Sequence, residues 1–416
     1  MTFSRIAVVI LVVAGLLTGS SRALAADANS PETLAAGPGV PILAWAGVPA
    51  DAAVERYAEL AAAGFSHNFT PLANAEMLQK VLDAAHTAGV KQVISIAELQ
   101  SDPEGTTRRF KDHPGNGGYY LRDEPGAALF PELAAWAKRI QSVDTVNPVY
   151  INLLPTYGDP GMWGTPDYQT YVDRFIKEVP TPMLSFDHYP VVREGKDAAG
   201  DRLRADFYGN LETCSAAAQK ANRPLWAFVL ATAHHPYPIA EISHMRLQAF
   251  SNLAYGAQVI QYFTYWTQKS DVWNFHQGPI EVDGKRTPTY DRVKQVNAEI
   301  QALRAAFIGG KVISVGHTGE AIPAGTKPFA AVAPVTLLET KDAGAVVSLL
   351  ENGDRRFLAI VNRDLHKPLK LTVGFDPAAG VKVAAKDGTL SPVQAGSHTA
   401  AIEPGDILVF AWAAKR

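Results

Sequence analysis

Between Val40 and Leu303 short apolar runs alternate with stretches of helical period, eight times over. The runs are Pro41–Gly47, Phe65–Pro71, Lys91–Glu98, Gly118–Glu124, Pro148–Leu154, Pro182–Tyr189, Leu225–Ala231 and Val259–Trp266. Between them lie helical patterns such as Asp51–Ala63, Asn74–Ala88, Ala127–Val143, Pro166–Glu178, Leu211–Asn222 and Glu241–Tyr255, and Thr289–Phe307 closes the series. Parallel neighbours need a long crossover, which a helix supplies. Eight such units in about 250 residues match a (β/α)8 barrel. An open doubly wound sheet is the alternative, but no Gly-x-Gly-x-x-Gly turn follows the first run. The expected fold class is α/β, a TIM barrel over residues 40–310.

After Gly309-Gly310 the helical period stops. Short β-branched runs, separated by turn signals such as Asn352-Gly353 and Asp387-Gly388, predict a C-terminal all-β sandwich over residues 311–416. Its expected role is to cover apolar barrel surface. At the other end, Arg5, the apolar run Ile6–Leu17 and Ala23-Leu24-Ala25 read as a signal peptide, residues 1–25, with cleavage after Ala25. That predicts an exported protein, periplasmic or secreted, with no membrane span after cleavage. The net charge of −3 gives no footprint for nucleic acid. The sole cysteine, Cys214, has no partner in the chain and sits among alanines, as a buried helix residue does.

Barrel enzymes keep their chemistry at the carboxyl ends of the strands. The fourth run ends in Asp123-Glu124-Pro125, two carboxylates halted by a proline that cannot continue a ladder. Side chains alternate along a strand, so one acid, Glu124, is expected to face the site. The sixth run ends similarly, in Asp187-His188-Tyr189-Pro190. Glycosidic cleavage needs two carboxyl groups, and Glu124 and Asp187 are the best pair by position. Trp45, Asn68, Glu98, Asp123, Asn152, Tyr157, His188, Tyr189, His234, Tyr262, Tyr265 and Trp266 lie at or near strand ends. They are candidates to bind a carbohydrate, aromatic faces covering sugar rings and polar groups taking hydroxyls. Strands four and six are not neighbours, which predicts a wide gap between the two acids, with room for a water activated by Asp187. No metal site and no cofactor is expected: His234 and His235 are adjacent, and no Gly-x-Ser-x-Gly elbow occurs. Glu241 and Arg246 read as a helix-start acid and a structural cation. Oligomeric state is not encoded in any motif.

The Asp-Glu-Pro ending resembles the Asn-Glu-Pro signature of the large clan of (β/α)8 glycoside hydrolases, in which the strand-four Glu is the acid/base. Gln261–Trp266 resembles the eighth strand of bacterial β-galactosidase-like members. So does the segment from Gly278-Pro279-Ile280 through Gly284, Thr287 and Tyr290 to Val296–Ile300, and a C-terminal sandwich with the Phe357–Asp364 strand suits that group. The resemblance implies an acid/base role for Glu124. Two positions depart from it. Asp123 replaces the Asn that binds the substrate 2-hydroxyl, and Leu225–His234 carries no counterpart of the strand-seven nucleophile. The reading is an exported glycoside hydrolase acting on an oligo- or polysaccharide. A carbohydrate-binding protein on a barrel that has lost catalysis is the alternative.

Overall fold

In the computed structural model, eight parallel strands close into a barrel in sequential order: Ile42–Trp45, His67–Phe69, Lys91–Ile94, Asn116–Asp123, Val149–Leu153, Leu184–Phe186, Leu225–Leu230 and Ala257–Phe263. The structure describes residues 32–195, 198–341 and 343–414. The expected signal peptide, residues 1–25, lies outside them. Among the described residues no helix is long and apolar enough to cross a membrane.

The strands are apolar on both sides because both sides are buried. Leu43, Phe69, Val93, Tyr150, Phe228 and Leu230 fill the barrel interior, while Ile42, Ala44, Ile151, Leu153, Val229 and Ile260 pack outward against the helices. Crossover helices begin where the sequence offers caps: Asn74 accepts from the Met77 N–H and Asp167 from that of Thr170. The structure adds two helices after the third strand, Ala97–Ser101 and Pro103–Phe110, and a hairpin, Val191–Arg193 with Asp201–Leu203, after the sixth.

The C-terminal strands form a six-stranded and a three-stranded antiparallel sheet. In the larger, Val347, Leu349, Leu358 and Ile360 face the smaller sheet, while Val346, Leu350, Ala359 and Val361 face the barrel. That double burial explains the unbroken apolar run of Ala345–Leu350. Leu369–Phe375, in the three-stranded sheet, alternates Leu, Lys, Leu, Thr instead.

Helix Ile242–Ala254 lies between barrel and sheet, packed against the strands Ala345–Asn352 and Arg355–Asn362. It is buried almost all round, as a doubly packed helix must be. Its polar side chains hold the barrel: Gln248 Oε1 accepts from the Leu230 N–H at 3.0 Å, and Asn252 Nδ2 donates to the Phe228 carbonyl at 2.9 Å. Glu241 caps it, and Arg246 binds Glu299 with two hydrogen bonds and approaches Asp406 at 3.6 Å. Lys386 pairs with Asp406. Glu241 and Arg246 are thus structural, as expected, and Cys214 is wholly buried in helix Phe207–Lys220. Removing one partner of a buried ion pair leaves a charge uncompensated, at about 3–5 kcal/mol. Lys386 remains beside the two acids, so Arg246→Met is expected to lower stability by about 3 kcal/mol. The midpoint of denaturant unfolding measures it.

Candidate active site at the mouth of the barrel

A cleft of about 470 Å³ opens at the carboxyl ends of the strands. Its three acids, Asp123, Glu124 and Asp187, come from strands four and six, and aromatics including Trp45, Tyr189, Phe228 and Phe263 supply other walls. A second cavity of equal volume, lined by Arg223, Pro224, Gly256 and Lys311, contains no carboxylate. Of these two, the first gathers the acids.

Asp123 and Glu124 both line the cleft, against the expectation that alternation would send them apart. The reason is local. Strand four bulges between Tyr120 and Arg122, after which Asp123 pairs with Asn152. Glu124 then adopts a left-handed conformation (φ 43°) while its N–H donates to the Asn152 carbonyl at 2.9 Å. For a residue with a Cβ that backbone costs about 1–2 kcal/mol.

Behind the acids a hydrogen-bonded chain crosses the barrel interior. Trp45 Nε1 donates to Tyr150 OH at 3.1 Å, and that hydroxyl donates to Gln261 Oε1 at 2.6 Å. Gln261 Nε2 donates to Ser185 Oγ and Ser185 Oγ to Asn152 Oδ1, each at 2.9 Å. Asn152 Nδ2 faces the acids and donates to Asp187 Oδ1 at 2.8 Å and Asp123 Oδ1 at 3.2 Å.

Asp187 is buried, and its carboxyl is near enough to that of Glu124 for the two to interact directly. Asp187 thus stands beside Glu124, where a wide gap was expected. Burial holds the Asp187 carboxyl well above the usual range, and the charges of Glu124 and Asp123 add to it. That shift favours the protonated form of Asp187 and works against the role of base first expected for it. Glu124 is pushed up to about 7, chiefly by burial and then by the Asp123 charge, with the Asp187 hydrogen bond opposing. Asp123 is raised to about 6, burial leading and Asn152 opposing. Its side chain nevertheless stays exposed to the cleft. A wet carboxylate keeps its hydration, and Asp123 is an anion at neutral pH.

Of the other expected residues, Trp45, Asn152, Tyr157, Tyr189 and His234 line the cleft. Six do not. Asn68 is buried, accepting from the Val48 N–H and donating to Gln92. Glu98 lies in a helix and accepts from the Ala75 N–H. His188 is buried behind Tyr157, bound to Asp206 at 3.1 Å. Tyr262 and Tyr265 pack outward on Phe65, and Trp266 stacks under Arg56. Phe228, Tyr237, Phe263, Trp273 and Phe275 line the cleft without having been expected there. Strand alternation signals Phe263 once its inward register is known. Trp273 and Phe275, in the polar loop after strand eight, are a readable signal. Among the described residues no three acids, histidines or cysteines are grouped to hold a metal.

A β-galactosidase family model matches residues 140–303, which span strands five to eight and include Asp187 and His234 but not Glu124. Over that span the chain is similar to glycoside hydrolases of the β-galactosidase type. It is similar to the β-galactosidase of Bacillus circulans sp. alkalophilus (9% identity, 90% of this chain and 99% of that one, TM-score 0.58). A catalytic mutant of a β-galactosidase from G. stearothermophilus is also similar (9% identity, 86% and 95%, TM-score 0.55). A further match, to the β-galactosidase of the psychrophilic Marinomonas ef1 (11% identity, TM-score 0.47), covers 63% of this chain, which spans about three fifths, 59%, of that one. No curated protein matches the chain in sequence.

Two outcomes follow from this geometry. Ser185→Ala strands Gln261 Nε2 and Asn152 Oδ1, and an unmade buried hydrogen bond costs about 1–3 kcal/mol; the stability read from denaturant unfolding should fall by that amount. A carboxyl whose folded pKa is raised stabilises the fold fully below its unfolded value, 4.5 for Glu124, and loses that stability as pH rises through about 7. The melting temperature of the wild type should therefore drop more between pH 5 and pH 8 than that of Glu124→Gln. Parallel pH dependences would contradict the shift.

Proposed function

We propose that the protein is an exported glycoside hydrolase that cleaves O-glycosidic bonds in an oligo- or polysaccharide, with Glu124 as general acid. One observation carries this: two interacting carboxyls, Glu124 and Asp187, whose pKa values burial raises, set in an aromatic cleft. A general acid works best when its pKa lies near the working pH. Glu124, at about 7, meets that condition. Asp187 acts beside it as the buried member of the pair, and the Asp123 charge keeps Glu124 basic enough to hold its proton. Trp45, Tyr189, Phe228 and Phe263 offer apolar faces to pyranose rings, and Asp123 offers carboxylate oxygens to hydroxyls. Export rests on Arg5, the run Ile6–Leu17 and the Ala23–Ala25 cleavage site.

A second reading, a carbohydrate-binding protein without turnover, is favoured by the cleft's acids all coming from strands four and six. Assay of the mature protein on a panel of oligosaccharides separates the two: binding without hydrolysis across the panel would establish the second.

Glu124→Gln removes the proton from the leaving oxygen's donor and should lower turnover about 10²–10⁴-fold while sugar affinity persists. Unchanged turnover would exclude Glu124. Asp123→Asn removes a charge that raises the Glu124 pKa. The basic limb of the kcat/KM profile, where Glu124 loses its proton, should then move to lower pH. A limb that stays in place or rises would show that Asp123 does not act on Glu124 in this way.

A further inference from the structure

Strand seven delivers to the mouth of the barrel a histidine where the resemblance would place a carboxylate. Past Leu225–Leu230 the chain runs through Ala231, Thr232 and Ala233, all buried, to His234, which lines the cleft. His234 Nδ1 lies 3.1 Å from the Thr232 carbonyl oxygen. A carbonyl only accepts, so Nδ1 carries the ring proton and the neutral ring presents its lone pair at Nε2. Among the described residues Nε2 has no hydrogen-bond partner. Tyr237 and Phe275, each with ring centroids 4.8 Å away, and Trp273 and Phe263, at 5.8 and 6.1 Å, hold the imidazole on several sides. The titratable groups facing it are Tyr237, on its own turn, and His276, on the loop after strand eight. Burial lowers its pKa, the Thr232 hydrogen bond opposing and His276 adding, which favours the neutral ring.

We propose that His234 is a catalytic base, taking a proton from the water that attacks the anomeric carbon while Glu124 protonates the leaving oxygen. The proposal rests on the hydrolase reading above. Strands four and seven are three apart in a ring of eight, so their ends stand across the mouth from each other. The other acids of the cleft suit that water less well: burial and the charges of Glu124 and Asp123 favour the protonated form of Asp187, and Asp123 adjoins the acid itself in the chain. In the step, the water oxygen bonds to the anomeric carbon as the bond to the leaving oxygen breaks. One water proton passes to His234 Nε2 and the Glu124 proton to the glycosidic oxygen, which departs as a hydroxyl; no oxidant or second nucleophile is required. One displacement inverts the anomeric centre.

The test combines product stereochemistry with a variant. Proton NMR of the first product from the wild-type protein should show the inverted anomer, and this reading does not depend on any variant folding. His234→Gln should lower kcat about 10²–10⁴-fold with KM changed only a few-fold, and the acid limb of the kcat/KM profile should disappear while the basic limb stays. A retained anomer, or an acid limb unchanged in His234→Gln, would overturn the assignment and leave the hydrolase reading standing. No hydrolysis of any glycoside by the wild type would overturn the hydrolase reading itself.

Discussion

Everything at the mouth of the barrel depends on which way one amide points. Asn152 presents its NH2 to Asp123 and Asp187 because its carbonyl oxygen is claimed by Ser185, itself fixed by Gln261, Tyr150 and Trp45. Flipping that amide would set a carbonyl against carboxyl oxygens and strand a hydroxyl in the interior. Inside a barrel, where an unpaired polar group is expensive, such a chain has one good arrangement. The strands supply the positions, and the network chooses among the rotamers.

The same network makes sense of the strain at Glu124. A bulge and a left-handed residue together bring both Asp123 and Glu124 to the cleft, where simple alternation would have turned one of them away. Nothing local rewards that conformation in a residue other than glycine. It persists because the surrounding strands over-determine it, as is common where backbone strain serves a site. The outcome is three acids within one small volume, with pKa values raised first by burial and, for Glu124 and Asp187, by their neighbours' charges.

The barrel and sandwich are legible because both are written in periodicity, and the apolar runs of strands and helices are long enough to read. The site is less so. Pattern points to Tyr262 where Phe263 faces the cleft, a one-residue error that follows from not knowing which face of strand eight points inward. Glu98 and Asn68 look like binding groups because a polar residue near a strand end has the same appearance whether it meets a ligand or satisfies a backbone N–H. Asp187 can be found by pattern, but its closeness to Glu124 cannot, since strand order says nothing of how far side chains reach inward. His234 is readable as a ligand group, while its tautomer becomes visible only with the Thr232 carbonyl beside it.

The double burial of helix Ile242–Ala254 has a bearing on how such a chain can change over evolutionary time. The sheet that presses on this helix has no residue among those lining the cleft, yet Gln248 and Asn252 on the helix grip the backbone of strand seven at Leu230 and Phe228. An accessory module joined by a loose tether can be traded for another and leave its neighbour untouched. Here the sandwich serves as a backing plate for one wall of the cleft, so barrel and sandwich are bound to be inherited together.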